Sequence, residues 1–363
     1  MSNSISIYGL LIRGENFSVN EAATLQAFYE EHGRDGVYAM VEKKKIIPFA
    51  ARTWISCGYD VDFWTEILNL FRERNAKILA CLDKAYQALG RFGVKKMFLS
   101  ENFSALLSSG ADVALFSSGD VDNYASPDEK DKIYAAFESL GYTRTERYAG
   151  AHQIAAEFYP PKETDVPEKF YISVDFYPLA RLKLPCFIDA DDFVDWEALS
   201  TYGDTSVVLP PKEALMYICL LHISLHSFSR APDIRLYIDL LNTAKTKPNY
   251  QKIAEWCKRD NTCVRASVAA ELCNRLLSTD IPKEITELTS KKNRVISLVY
   301  DSEKKDLKYE PHGLKVLKIE MLCHDKGALS GVFAILSPNK AWMKRVYGGR
   351  GFLAHIKHWK KVI

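Results

Sequence analysis

Asp120 and Asp122 stand two residues apart in the segment Ala114-Leu-Phe-Ser-Ser-Gly-Asp-Val-Asp-Asn-Tyr124. A third aspartate, Asp175, follows in Tyr171-Ile-Ser-Val-Asp-Phe-Tyr177. In an extended strand, residues i and i+2 project from one face, which would set Asp120 beside Asp122 and turn Val121 into the core. Carboxylates that close repel one another unless a cation lies between them. Hard oxygen ligands in that arrangement suit Mg²⁺, which usually shares its shell with substrate phosphates. The same letters also fit an ordinary turn, since Ser-Gly-Asp and Asp-Asn are both turn formers. On the triplet alone the turn is the commoner reading.

The neighbouring elements shift that balance. Ser126, Pro127 and Glu129 predict a helix start with a capping box. Ile133, Tyr134, Phe137 and Leu140 recur at helical spacing, and Gly141 ends the run. Val94 to Leu99 predicts a short buried strand, and Phe103 to Leu107 an apolar turn of helix. His152 to Phe158 and Phe170 to Phe176 predict two strands joined by a Pro-rich loop. This mixed order implies a small α/β domain whose carboxylates converge on one sheet face.

Ser-Ser-Gly-Asp-Val-Asp, the helix ending in Leu140-Gly-Tyr142, and Val174-Asp-Phe together resemble the uncharacterised nucleotidyltransferase-like family of the DNA polymerase beta superfamily. Upstream, Ile46-Ile-Pro-Phe-Ala-Ala51 and Phe92-Gly-Val-Lys-Lys-Met-Phe-Leu99 are similar to that family's helical lead-in and first strand. Downstream, Leu209-Pro-Pro-Lys-Glu-Ala-Leu215, His222-Ile-Ser-Leu-His226 and Ile234-Arg-Leu-Tyr-Ile-Asp239 resemble its helical C-terminal half. The resemblance implies Mg²⁺-dependent nucleotidyl transfer from a nucleoside triphosphate, with ATP the expected donor. It casts Asp120 and Asp122 as the residues holding Mg²⁺ against the triphosphate. Asp175 would complete a second metal position and orient or deprotonate an acceptor hydroxyl. Ser117, Ser118 and Gly119 would offer hydroxyls and backbone N–H groups to phosphate.

The chain departs from the family pattern in two places. Where the first strand should end in a Lys-Gly pair, the stretch is Leu99-Ser-Glu-Asn102. Glycine would let the backbone approach phosphate, whereas Glu101 brings a negative charge. A basic residue expected shortly before the Asp pair is replaced by Phe116 and Ser117. These losses weaken the phosphate-gripping half of the site and leave the metal half intact.

Composition narrows the class of partner. The chain has 363 residues, 47% of them hydrophobic and 26% charged, which suffices for more than one domain with a full core. A formal net charge of +2 gives no global field that would favour nucleic acid, so a small-molecule or peptide acceptor is expected instead. No apolar run is long enough for a membrane span, and Met1-Ser-Asn-Ser lacks a leader pattern, so a cytoplasmic location is expected. The eight cysteines form no Cys-x-x-Cys pair, which predicts reduced, buried thiols rather than a zinc site of that spacing.

The expected fold class is α+β, a small mixed-sheet nucleotidyltransferase core between helical regions. The parts would be an N-terminal helical region at 1–90, an α/β core at 91–185, and a C-terminal helical domain with a basic tail at 186–363. Helices are predicted over Asn20 to Glu31, Val61 to Arg74, Ala76 to Leu89, Asp233 to Thr243, Tyr250 to Arg259 and Cys263 to Leu277. Another starts after Pro210-Pro211, with Leu215, Ile218, Leu221 and Leu225 as its apolar stripe.

His222 and His226 share a helical face and could bind a metal, but a packing or pocket role is the commoner outcome for such a pair. Arg235 and Asp239 predict an intrahelical ion pair. The basic, aromatic stretch from Ala341 to Ile363 fits a tail packed on the helical domain better than a membrane or nucleic-acid contact. Two functions follow from the whole. One is a nucleotidyltransferase. The other is a catalytically degenerate relative that binds a nucleotide, peptide or partner protein without turnover.

Overall fold

The computed structural model describes residues 7–149, 152–176, 188, 190–228, 234–300 and 314–336, with single positions at 343, 353, 356 and 357. Cys186 and most of the basic stretch after Ala341 lie outside the described residues. The chain opens with helices α1 (Ile7–Arg13), α2 (Val19–Lys43), α3 (Ile47–Cys57) and α4 (Val61–Arg91). Gly33 takes a positive φ inside α2 and breaks its helical path there. Pro48 sits in the first turn of α3, where its missing N–H costs nothing.

Helix α4 is one continuous element where the sequence predicts two. Asn75, at the expected break, remains helical and sends its buried side chain sideways. Its Nδ2 donates to the carbonyls of Val113 at 2.7 Å and Phe116 at 2.9 Å. Asn has poor helix propensity, and here that loss is outweighed by satisfying two loop carbonyls.

The α/β portion runs β1 (Met97–Leu99), α5 (Glu101–Ser108), β2 (Asp120–Ala125), α6 (Lys130–Ser139), β3 (Thr143–Ala149), β4 (His152–Tyr159) and β5 (Tyr171–Asp175). The strands form one five-stranded sheet in the order β1-β2-β5-β4-β3. Only β2 and β5 pair in parallel; the remaining neighbours are antiparallel. The molecule is therefore mixed α+β, helix-rich, with a small mixed sheet.

Two local expectations are corrected. Ser126 makes no side-chain cap, and a short 3₁₀ turn over Pro127–Glu129 precedes α6. The capping box fails because the Glu129 carboxylate is taken by the Lys95 N–H at 3.3 Å and Lys132 Nζ at 2.8 Å. Strand β3 was not expected, because Thr143-Arg-Thr-Glu-Arg carries no apolar alternation. It is an edge strand that needs only backbone pairing with β4.

A two-stranded ribbon, β6 (Ser200–Thr201) with β7 (Val208–Leu209), leads into the helical half. That half comprises α7 (Lys212–Leu225), α8 (Ile234–Lys245), α9 (Tyr250–Arg259), α10 (Cys263–Leu277), α11 (Lys283–Thr286), α12 (Lys292–Tyr300), α13 (Leu314–Leu322) and α14 (Ala328–Leu336). The stripe Leu215, Ile218, Leu221 and Leu225 is buried as expected. No described helix is long and apolar enough to cross a membrane. Among the described residues the cysteines are free thiols, all buried except the half-buried Cys57.

Helices clothe the two sheet faces differently. Phe137 of α6 stacks on Phe158 of β4 at 4.0 Å, and Tyr86 of α4 donates to Asn123 Oδ1 of β2 at 2.7 Å. Helices α4 and α6 thus cover the face shared by Val121 and Asn123. Helix α5, packed against α7 and α8, brings the helical half to the opposite face.

Asn75 ties this scaffold to the loop ahead of β2. Asn75→Ala leaves two loop carbonyls without their donor. It should lower unfolding free energy by about 2 kcal/mol, measured by urea denaturation. A wild-type midpoint in the variant would show that the loop does not rely on α4.

Candidate functional site

Asp120 and Asp122 do lie in a strand, β2, and they share a face, with Val121 fully buried between them. In the parallel pairing, Asp120 is level with Tyr171, Asp122 with Ser173 and Tyr124 with Asp175. Side chains in register on adjoining strands point the same way, so the structure brings all three predicted acids to one sheet face. Asp175 stands two paired positions beyond Asp122, on the same face, and is buried. Glu157 of β4, in register with Ser173, adds another carboxylate to the same face.

The Asp120 carboxylate is held from both sides. Its Oδ1 accepts from the Ser118 hydroxyl, and its Oδ2 accepts from the Tyr171 hydroxyl at 3.2 Å. Burial and the facing carboxylates of Asp120, Glu157 and Asp122 push the Tyr171 phenol upward, keeping it a donor.

Asp122 is the strained member. Burial raises its carboxyl well above the usual range, and the charges of Glu101, Asp120 and Asp175 raise it further. Arg235 acts in the opposite direction. The arrangement disfavours a full set of negative charges.

Glu101 is the residue whose place in the site sequence reasoning missed. By sequence it only brings a negative charge where the resembled pattern has glycine. Its φ of 52° places it in the left-handed region, which glycine enters freely and other residues enter at a cost on the order of 1 kcal/mol. The backbone conformation that suits glycine is therefore present here with a carboxylate attached. Side-chain contacts hold it: Tyr124 donates to Oε1 at 2.5 Å, and His222 Nδ1 lies 2.7 Å from Oε2. His222 Nε2 in turn lies 3.0 Å from His226 Nε2, one of them donating. The histidine pair thus belongs to a polar chain that reaches Tyr124 through Glu101. No local sequence signal announces that chain, because it joins β2, α5 and α7.

The turn before β2 is pinned by side chains from distant segments. Arg74 Nη2 donates to the Ser118 carbonyl at 2.5 Å, and the Ser117 hydroxyl donates to the Lys45 carbonyl at 2.6 Å. Arg235 Nη1 donates to the Ser118 hydroxyl at 2.6 Å. The expected Arg235–Asp239 ion pair is absent among the described residues. Arg235 hydrogen-bonds the Ser118 turn instead; burial raises the Asp239 carboxyl, and the Arg235 charge acts against that rise. The backbone N–H groups of Ser117, Ser118 and Gly119 make no hydrogen bond within the described residues. A side chain at Gly119 would meet nothing within 4 Å, so the space over that residue is open.

Among the described residues, no group of three or more His, Cys, Asp and Glu side chains stands arranged to hold a metal ion. His222 and His226 face each other, and His222 also faces Glu101. The acids offer a different fit. Mg²⁺ commonly takes one or two carboxylates and fills its shell with water and phosphate oxygens, a donor set that Asp120 and Asp122 match in type. Comparison of the chain with family models, curated proteins and solved structures returned no match.

The charge crowding has a measurable consequence. With its folded value above the unfolded value near 3.9, Asp122 binds protons more readily folded than unfolded. Its contribution to stability therefore falls as pH rises through the window between those values. Asp122→Asn fixes a neutral group there. In chelator at pH 7 it should raise the melting temperature by about 2–4 °C and reduce the loss of stability on going from acid to neutral pH. A lower melting temperature at pH 7 would show that Asp122 is stabilising as a carboxylate. His222→Ala breaks the pair with Glu101 and should cost about 3 kcal/mol, read by the same melts.

Proposed function

We propose that this protein is a Mg²⁺-dependent nucleotidyltransferase. It would move a nucleoside monophosphate from a nucleoside triphosphate, with ATP the expected donor, to a hydroxyl on a small-molecule or peptide acceptor. The observation that carries this reading is the placement of Asp120, Asp122 and Asp175 on one face of adjoining parallel strands, with Asp122 raised by its neighbours' charge. Such a face has lower energy with a cation than without one.

In this reading Asp120 and Asp122 hold Mg²⁺ against the triphosphate, and Asp175 serves the second metal position. Bound metal would supply charge neutralisation at the attacking and leaving oxygens of an in-line displacement. The protein's own residues do the rest. Ser118 and Tyr171 fix the Asp120 carboxylate by hydrogen bonds to its two oxygens. Asp175 takes the acceptor's proton as the acceptor oxygen bonds to the α-phosphorus. The α–β bridging bond breaks and pyrophosphate leaves with its electron pair.

The degenerate reading also has an observation behind it. Glu101 occupies the position where the family pattern has glycine, and both of its oxygens are engaged within the protein. A site that keeps this extra negative charge could bind Mg²⁺ and nucleotide without transferring anything.

Thermal shifts with ATP, GTP, CTP and UTP, each with and without Mg²⁺, test binding. Pyrophosphate release tests turnover. The transferase reading expects one triphosphate to raise the melting temperature only with Mg²⁺. It also expects Asp120→Asn or Asp122→Asn to cut pyrophosphate release by about 100-fold or more. A Mg²⁺-dependent shift without release in the presence of hydroxyl acceptors favours the binding protein. No shift with any triphosphate refutes the transferase reading and leaves a degenerate relative that binds a peptide or partner protein.

A further inference from the structure

The sequence lacks the basic residue expected just before the Asp pair, and the fold brings a cation to that place from elsewhere. Arg235 arrives from α8, a long way along the chain, and its Nη1 meets the Ser118 hydroxyl at 2.6 Å. A guanidinium carries five N–H donors. Among the described residues the contact with Ser118 is the only hydrogen bond Arg235 makes. Its i+4 neighbour Asp239 does not take the others. Beside it lie the three uncommitted N–H groups of Ser117, Ser118 and Gly119.

A half-buried guanidinium beside several unused backbone donors is an anion site by chemistry, since the planar fork matches two oxygens of one phosphate. Its position on the sheet selects which phosphates. The row of acids runs from Asp120, at the start of β2, toward Asp175, level with Tyr124. Arg235 and Ser118 stand at the Asp120 end. A triphosphate whose α-phosphorus lies among the acids would extend its other phosphates toward this end.

Resting on the nucleotidyltransferase reading, we propose that Arg235, with the N–H groups of the Ser117–Gly119 turn, grips the distal phosphates that leave as pyrophosphate. On binding, phosphate oxygens enter the unused donor positions of Arg235. Arg74, which donates to the Ser118 carbonyl from α4, keeps the turn in place as this happens.

Calorimetric titration of the full chain with Mg²⁺·ATP, Mg²⁺·AMP and Mg²⁺·tripolyphosphate tests the assignment. Wild type should bind ATP and tripolyphosphate, and Arg235→Met should weaken both by about 10- to 100-fold. AMP lacks the distal phosphates, so any affinity for it should be the same in both proteins. If the variant binds ATP as wild type does, the Arg235 assignment falls while the transferase reading stands. If wild type binds tripolyphosphate through Arg235 yet binds no nucleotide, the anion site stands and the transferase reading falls. Binding of none of these by wild type overturns both. Should Arg235→Met fail to fold, Arg235→Lys keeps the charge and loses the fork. It should weaken tripolyphosphate binding at least about 3-fold, and unchanged affinity overturns the assignment.

Discussion

Asp120, Asp122, Asp175 and Glu101 crowd toward one face of a small sheet, and the surrounding structure is arranged around their repulsion. Three of them show how it is met. Asp120 accepts hydrogen bonds from Ser118 and Tyr171, and Glu101 is tied to Tyr124 and His222. Asp122 sits at the centre of the group and absorbs the residual cost as a raised carboxyl, moderated by Arg235. The helical half is therefore more than a wrapping. It supplies His222 and Arg235, nitrogen groups that join the sheet's own donors Tyr124 and Tyr171 around the acids.

Much of the scaffold was legible from apolar spacing. Helices α9 and α10 begin and end where the pattern predicts, and the stripe from Leu215 to Leu225 is buried. Errors came where a tertiary contact overrode a local preference. Asn75 stays helical because it has two carbonyls to satisfy, and Glu129 abandons its cap for Lys95 and Lys132. Strand β3 escaped notice because an edge strand with polar side chains has no alternation to read.

The candidate site was legible in part, and the division has a physical basis. Asp120 and Asp122 declare themselves by a spacing of two, which a strand converts into a shared face. Glu101, His222, Arg74 and Arg235 come from separate elements, and no spacing encodes their meeting. Glu101 is instructive because its residue type argued against a role. Its left-handed backbone and its contacts with Tyr124 and His222 make it part of the site's architecture. An intrahelical spacing of four misled for Arg235, since the same geometry that permits a pair with Asp239 also permits reaching off the helix to Ser118.

The parallel pairing of β2 with β5 bears on the order in which the molecule assembles. Helix α6 and strands β3 and β4 separate the two strands along the chain, so the contact between them closes a long loop, a slow and entropically costly event. That closure is also the step that first brings Asp175 beside Asp122. Electrostatic opposition is thus loaded onto the kinetically hardest contact in the sheet. Whatever relieves that opposition also eases the last strand into register.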